Sequence, residues 1–163
     1  MKLSASSVCE VRPYQERDRD GLISVMNTVC AEGRWMRTTR FEPTPAWEHA
    51  LANADCLCHL LLVAVDGTQV AGWCRIFPTG EDGEAEIGVG LLAPYRDRGL
   101  GTRMLQHAIM WAKDYGFARL KLTTRADNGR ALHVFRRCGF MMTTSAKEGW
   151  SEMVLSFRTR STL

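Results

Sequence analysis

The middle of the chain contains three apolar runs that are separated only by short polar turns. Residues 57–65 and 70–77 flank the pair Asp66-Gly67, and a polar turn at residues 80–83 leads into the run at residues 85–92. Asp-Gly between two apolar runs is a strong hairpin signal. We therefore predict three consecutive strands here.

Apolar residues at helical spacing predict four helices around these strands. Asp18 can cap the first helix, Thr44-Pro45 opens the second, the third ends at Gly116, and Asp127 can cap the fourth. Four further strands are predicted at residues 11–14, 120–124, 140–144 and 151–157. The order β-α-α-β-β-β-α-β-α-β-β predicts one mixed α/β sheet with helices on its faces.

Length and composition agree with a single globular domain over residues 1–163. Hydrophobic residues make up 45% and charged residues 24% of the chain, which is the balance of a globular protein. The net charge is only +3 and there is no block of Lys and Arg, so we expect no nucleic-acid partner. The longest apolar run has about nine residues, whereas a membrane span needs about twenty, so we expect no membrane partner.

Six cysteines, at positions 9, 30, 56, 58, 74 and 138, raise the question of disulfides or a metal site. Residues 1–8 are too short and polar for a signal peptide, so we expect a cytoplasmic protein with reduced, mostly buried cysteines. Cys56-Leu57-Cys58 lacks a second ligand pair at zinc spacing, and the four histidines are scattered. We therefore predict no metal.

The segment Arg96-Asp97-Arg98-Gly99-Leu100-Gly101 lies between a predicted strand and a predicted helix. Glycines allow a ligand to approach the backbone, and the first N–H groups of a helix have no internal partner. Together with the helix dipole they form an anion site suited to a pyrophosphate. The alternative is a glycine turn that only joins two elements.

Two other phosphate-binding motifs do not fit this segment. A P-loop requires Gly-Lys-Ser/Thr, but Thr102-Arg103 follows Gly101. A dinucleotide fingerprint requires a small residue where Met104 stands, and an acidic residue about twenty positions later, where Lys121 and its neighbours stand instead. Both are excluded.

Three stretches together resemble the GNAT superfamily of N-acetyltransferases: Glu86-Ile-Gly-Val-Gly-Leu-Leu, Tyr95-Arg96-x-x-Gly99-x-Gly101, and Ala126-Asp-Asn128-x-x-Ala131-x-x-x-Phe135-x-x-x-Gly139-Phe140. The resemblance covers about residues 60–157, and residues 1–55 match only in element order. It implies a single mixed, mostly antiparallel sheet of six to seven strands with about four flanking helices. It also implies transfer of an acetyl group from acetyl-CoA, bound by a core at residues 85–140, to an amine.

The resemblance assigns the cofactor contacts. Main-chain groups at 90–92 follow the pantetheine arm, the N–H groups at 97–102 hold the pyrophosphate, and the N–H of Leu91 faces the thioester oxygen, where negative charge develops. The acetyl group lies in a gap between the strands at 85–92 and 118–124. The implied set is Gly90, Leu91, Leu92, Arg96, Asp97, Arg98, Gly99, Leu100, Gly101, Thr102, Asn128 and Phe135.

Phe135 departs from the family pattern, because many members carry a tyrosine there whose hydroxyl can protonate the leaving thiolate. Either the thiolate leaves without a side-chain acid, or another tyrosine or a water serves. Phe135 packs beside the sulfur in one interpretation and is only a core residue in the other.

A base is needed at the acceptor amine, because a primary amine has a pKa of about 10 and is mostly protonated at neutral pH. Glu86 begins the strand that lines the acetyl site and is our candidate. The alternative is that strand alternation aims Glu86 outward, as one more residue of an acidic stretch with Glu81, Asp82 and Glu84.

The acceptor is expected to contact the segment at residues 31–42 and the final hairpin. Arg34, Trp35 and Arg37 form either a carboxylate-binding cradle or a solvated basic loop. The first functional hypothesis is acetylation of a small-molecule amine, such as an amino acid or an antibiotic. The alternatives are acetylation of a protein N-terminus or lysine, and a non-catalytic acetyl-CoA-binding module. A homodimer is common in the family, and the oligomeric state stays open.

Overall fold

The structure is a computed structural model that describes residues 9–143 and 147–157. Its elements, in chain order, are β1 (Glu10–Pro13), α1 (Arg19–Ala31), α2 (Pro45–Ala52), β2 (Leu60–Asp66), β3 (Gln69–Pro78), β4 (Glu84–Leu91), α3 (Leu100–Tyr115), β5 (Arg119–Arg125), α4 (Gly129–Arg137), β6 (Met141–Met142) and β7 (Trp150–Ser156). This is the predicted order. The strand predicted at residues 140–144 is observed only as β6, which has two residues, and residue 144 of the prediction lies outside the described residues.

The described strands form one sheet in the order β1-β2-β3-β4-β5-β7-β6. All neighbours are antiparallel except β4 and β5, which are parallel. Parallel strands need a long crossover connection, and α3 supplies it. The predicted mixed, mostly antiparallel sheet is confirmed. Within the described ranges, no helix has the length and apolar character that crossing a membrane requires.

Strand alternation gives the sheet two apolar faces, each covered by two helices. Trp73 and Phe77 of β3 belong to the core beneath α1 and α2. Ile76 of β3 and Ile87 of β4 belong to the core beneath α3 and α4. The parity of a residue in β3 or β4 therefore decides which pair of helices its side chain faces.

Two of the three predicted helix caps are wrong. Thr44 does cap α2, since its hydroxyl accepts the N–H of Trp47 at 3.3 Å. Asp18 lies at the start of α1, but its carboxylate binds the guanidinium of Arg12 at 2.8 and 2.9 Å instead of capping the helix. At α4 the cap is Asn128 rather than Asp127. Asp18 does not cap α1 because the guanidinium of Arg12, in β1, takes its carboxylate.

The pairing of β4 with β5 is limited to the first three residues of each strand, ending at Glu86 and Lys121. An ion cluster holds this paired end together. The carboxylate of Glu84 lies 3.0 Å from Nε of Arg119 and 3.5 Å from Nζ of Lys121, and it accepts the hydroxyl of Thr79 at 2.9 Å. Glu84 is thus a structural residue at the point where the two strands begin to separate, and not only part of an acidic stretch.

Replacing Glu84 with Gln should lower the free energy of unfolding by about 1 kcal/mol at pH 7, because its partners are partly exposed. The hydrogen bond from Thr79, with help from Arg119 and Lys121, holds the pKa of Glu84 below its usual value. A lowered folded-state pKa stabilises the protein above the unfolded pKa of about 4.3, and this contribution is lost as pH falls through the folded pKa.

Urea unfolding of both proteins from pH 7 down to pH 3 checks this prediction. The difference between wild type and Glu84→Gln should shrink below about pH 4. Glu81→Gln, an exposed neighbour in the same turn, is the control and should have little effect at any pH. A difference that persists at low pH contradicts the electrostatic explanation.

Candidate active site

A gap opens in the sheet where β4 and β5 separate. Beyond Glu86, β4 continues to Leu91 and β5 continues to Arg125 without any further pairing between them. On its other side, β4 stays paired with β3 along its whole length, up to Leu91. The gap predicted between the strands at 85–92 and 118–124 is therefore present in the structure.

The main-chain groups that face the gap follow from the alternation of hydrogen bonding along β4. The N–H of Leu92 donates to the carbonyl of Ala71 at 2.9 Å. Because the pairing of β3 with β4 has no register shift, the main-chain N–H and C=O groups of the even-numbered residues of β4 point toward β3. In an antiparallel pair the intervening residues point the other way. The N–H of Ile87 points to β5, where the parallel pairing of Glu86 with Lys121 uses it, and the N–H groups of Val89 and Leu91 consequently face the gap.

Gly90 and Leu92, which the resemblance placed along the pantetheine arm, direct their main-chain groups toward β3 by the same alternation. Gly90 has a packing reason to be glycine, since an added Cβ would lie 2.3 Å from the ring of Trp73. Sequence reasoning named Leu91 but missed Val89. The hydrogen bond from Leu92 to Ala71 shows that odd-numbered residues of β4, not even-numbered ones, direct their main-chain groups into the gap. The sequence alone does not show this direction.

The turn between β4 and α3 presents six consecutive main-chain N–H groups, from residues 97–102, that have no acceptor among the described residues. Gly99 adopts a left-handed conformation with φ of 78° at the helix start. The first bond inside the helix is the one from the N–H of Arg103 to the carbonyl of Gly99, at 3.0 Å. A row of unpaired donors at the positive end of a 16-residue helix is an anion site.

The predicted cations near this turn have different roles. Arg98 and Arg103 are exposed, and Arg103 also donates to the carbonyl of Cys9 at 3.2 Å. Arg96 is used within the protein: its Nε donates to the carbonyl of Leu91 at 3.0 Å. Its two terminal nitrogens bind the carboxylate of Glu32 at 2.9 and 2.7 Å.

The start of α4 lies against the same turn, because Arg130 pairs with Asp97 at 2.9 Å. Asn128 uses its Oδ1 to cap α4, accepting the N–H of Ala131 at 3.2 Å. The amide Nδ2 of Asn128 is then the donor that it can offer a cofactor.

Phe135 is only 7% exposed and lies in the core beneath α3 and α4, with its ring 6.0 Å from that of Phe140. This burial agrees with the packing interpretation, and contact with the cofactor's sulfur stays a prediction.

The three tyrosines of the chain are placed away from the gap. Tyr14 donates its hydroxyl to a carbonyl of α2 at 2.9 Å, and Tyr95 donates to Asp66 at 2.7 Å. Tyr115 stacks on Phe117 at 4.7 Å, at the end of β5 that is still paired with β4. The sequence-based option that another tyrosine replaces the missing acid therefore has no support.

Glu86 lies on the α1/α2 face, where Arg75 holds it. The Nη2 of Arg75 is 3.0 Å from the Glu86 carboxylate, and Nη1 donates to the Glu86 carbonyl at 3.1 Å. Gly88 leaves room for this guanidinium, since an added Cβ would lie 2.9 Å from its Nε. The Glu86 side chain is still 37% exposed, so the carboxylate is oriented by Arg75 and accessible to a proton donor.

The loop between α1 and α2 (residues 32–44, the α1–α2 loop) connects the two sides of the gap. On the β4 side, Glu32 binds Arg96, which lowers the pKa of the Glu32 carboxyl, and accepts the indole N–H of Trp35 at 2.9 Å. On the other side, the guanidinium of Arg37 lies 4.4 Å from the ring of Trp150, at the start of β7. The third predicted acceptor residue, Arg34, lies over Trp35 at 4.5 Å.

A second group of chemically active side chains lies where α2 leads into β2. His49, Cys56, Cys58 and His59 each offer a ligand atom, and these atoms all lie within 4.8 Å of one another. The prediction that the histidines are too scattered to join the cysteines is wrong for His49 and His59. His49 comes from α2, and His59 directly follows Cys58 in the chain. The spacing of these four residues along the sequence matches no common zinc motif.

The cysteines at 9, 30 and 74 are buried and free, as predicted, and burial raises the pKa of Cys74 to about 12. Cys56 and Cys58 are partly or fully exposed, contrary to the general expectation of burial.

A gap between parallel strands that leads to an anion-binding helix start suits a long ligand that carries amides and a phosphate. The model of the Acetyltransferase (GNAT) family matches residues 23–140. The chain therefore belongs to the GNAT family of acetyl-CoA-dependent acetyltransferases.

Solved structures agree at the level of the fold. A GNAT-family acetyltransferase from Streptococcus pneumoniae has 21% identity and a TM-score of 0.80, over 93% of this chain and 100% of that one. A ribosomal-protein-alanine N-acetyltransferase from Brucella melitensis has 19% identity and a TM-score of 0.77, over 91% and 99%. A phosphinothricin acetyltransferase from Sinorhizobium meliloti, in complex with AcCoA, has 17% identity and a TM-score of 0.74, over 91% and 88%.

Replacing Gly101 with Leu should weaken binding of coenzyme A at least ~100-fold, because a bulky side chain keeps the pyrophosphate from several charge-assisted N–H contacts. Gly101→Ala should be much milder, since the added Cβ meets only Leu91, at 3.7 Å. Calorimetry with coenzyme A measures both. Gln106→Leu, at an exposed position of the same helix, should bind normally. Unchanged affinity in Gly101→Leu contradicts the assignment of this turn.

Proposed function

We propose that the protein transfers the acetyl group of acetyl-CoA to the primary amine of a small molecule that also bears a carboxylate. The amine attacks the thioester directly while both substrates are bound. The observation that supports this proposal most strongly is the row of six N–H groups at residues 97–102, which have no acceptor in the described part of the chain and follow the strand that borders the gap.

Donor binding uses main-chain groups. The amides of residues 97–102 hold the pyrophosphate, with Arg98 and Arg103 as nearby cations. The N–H groups of Val89 and Leu91 supply the hydrogen bonds that a neighbouring strand would otherwise make, which suits the amides of a pantetheine arm. Acetyl-CoA supplies an activated acyl group. In our assignment the N–H of Leu91 stabilises the negative charge that develops on the thioester oxygen.

The acceptor amine must lose a proton before it can attack. Glu86 is our candidate to receive that proton, directly or through a water, and Arg75 fixes the position of its carboxylate. A new N–C bond then forms as the C–S bond breaks; the sulfur leaves as a thiolate, and the nitrogen gives up its second proton to water. Because Phe135 has no hydroxyl and the tyrosines lie elsewhere, water is the proton source for that thiolate in our proposal.

The α1–α2 loop favours a small acceptor. It spans the gap from Arg96 to Trp150 and so limits the room for a polypeptide to lie across the opening. Arg37 and Arg125 both lie over the ring of Trp150, at 4.4 and 5.3 Å. Nε of Arg125 is buried without a hydrogen-bond partner among the described residues, although Asp127 lies 3.7 Å away. Two guanidinium groups at one edge suit a carboxylate.

Glu86→Gln should reduce kcat by ~100-fold or more, because an amide cannot accept the amine's proton. The KM for acetyl-CoA should stay close to the wild-type value, since Gln can keep a hydrogen bond to Arg75. Steady-state assay of released coenzyme A, with the best acceptor from a screen, measures both constants. An unchanged kcat removes Glu86 from the mechanism.

A screen of acceptor amines tests the proposed substrate class. Free amino acids should release coenzyme A faster than matched amines that lack the carboxylate, and faster than peptides with free N-termini. Arg37→Gln should raise KM for the carboxylate-bearing acceptor at least ~10-fold, since a lost charge-assisted hydrogen bond costs about 1.5–3 kcal/mol. Arg40→Gln, an exposed position in the same loop, is the charge-matched control.

The other two hypotheses predict different results in the same screen. Preference for peptides, whether through the N-terminus or a lysine, would indicate a protein acetyltransferase, the activity in the name of the Brucella protein. Tight binding of acetyl-CoA with no acceptor releasing coenzyme A would indicate a non-catalytic binding module.

A further inference from the structure

We propose that His49, Cys56, Cys58 and His59 form a tetrahedral zinc site, here called the Cys/His cluster, which joins the end of α2 to the start of β2. Two thiolates and two imidazoles are a ligand set that selects zinc among the common divalent metals. The proposal does not depend on the acetyltransferase function.

Three distances between ligand atoms of the Cys/His cluster match those of ligands that share one ion. Nε2 of His49 lies 3.3 Å from Sγ of Cys56 and 3.5 Å from Sγ of Cys58. Nδ1 of His59 lies 3.5 Å from Sγ of Cys58. Zn–S bonds of about 2.3 Å and Zn–N bonds of about 2.0 Å at tetrahedral angles place sulfur and nitrogen about 3.5 Å apart.

The two sulfurs are the part of the cluster that must adjust. Their Sγ atoms lie 2.7 Å apart, whereas two sulfurs on one tetrahedral zinc lie about 3.8 Å apart. The residue between them, Leu57, is 83% exposed, so the short segment can open by about 1 Å without disturbing the core. A disulfide between Cys56 and Cys58 is the competing state of these thiols.

The surroundings hold the imidazoles in place. The amide nitrogen of Asn53 donates to the main-chain carbonyl of His49 at 2.8 Å and lies beside its Nδ1 at 3.3 Å, which leaves Nε2 facing the sulfurs. The His59 ring is 7% exposed and meets the rings of His49 and Phe77 edge-on, at 5.6 and 6.1 Å. On binding, each thiol releases one proton, and Zn²⁺ with two thiolates has no net charge, which suits a half-buried site.

The position gives the site a structural role next to the acceptor side. Phe77, which contacts His59, also lies 5.0 Å from the guanidinium of Arg75, and Arg75 orients Glu86. Zinc would fix α2 against β2 and so keep this wall of the acceptor site in place.

Metal analysis of the reduced protein, purified without chelator and dialysed against micromolar zinc, tests the proposal. We expect about one zinc ion per chain, and tetrahedral Co²⁺ in its place should show thiolate charge-transfer absorption. His49→Gln, at an exposed position, and Cys58→Ser should each weaken zinc affinity by at least ~100-fold, since even outer partners of a metal site contribute ~10–100-fold.

His107→Gln and Cys138→Ser, on α3 and after α4, are matched controls and should keep the zinc. A chelator should lower Tm of the wild type and of both controls, but not of His49→Gln. Any of three results would overturn the site. The wild type could bind no more zinc than His49→Gln, or the controls could lose as much zinc as the cluster variants. The third is an intact mass two hydrogens below that of the fully reduced chain after mild reduction, which indicates a disulfide. If Cys58→Ser does not fold, His49→Gln still decides.

Discussion

The early end of β4–β5 pairing is the constraint on which the rest of the site depends. After Glu86 and Lys121 the two strands have no further pairing, so β4 beyond Ile87 has an edge that no described strand pairs with, in the interior of the sheet. Unpaired main-chain groups must find partners in water or in a ligand. A pantetheine arm, which carries amides at intervals, can pair with such an edge as a strand does.

The same strand is shaped from its other face. Gly88 and Gly90 allow the side chains of Arg75 and Trp73 to lie directly on the backbone of β4. Arg75 then reaches Glu86, so residues that look like parts of a cofactor motif in the sequence also position the candidate base. Packing beneath α1 and α2 and the chemistry in the gap are thus linked through one strand.

The sequence predicted what depends on local chain order, and missed what depends on contacts across the fold. The element order follows from hydrophobic periodicity and the candidate anion site from a short glycine motif, whereas the gap was implied by the resemblance to the GNAT superfamily. Asp18 fails as a cap because Arg12 of β1 takes its carboxylate, and Arg96 is not a free cation because Glu32 takes its guanidinium. His49 meets Cys58 only after α2 folds back toward β2.

In the proposed arrangement, Arg96 connects the sites of the two substrates through one guanidinium. It holds the carbonyl of Leu91, whose own N–H faces the gap, and with its remaining nitrogens it holds Glu32 at the start of the α1–α2 loop. A shift of the loop toward or away from an acceptor therefore acts on the strand that lines the thioester. Charge-assisted, bidentate pairing fixes both direction and distance, so in this proposal the geometry between donor and acceptor depends on a residue that need touch neither of them.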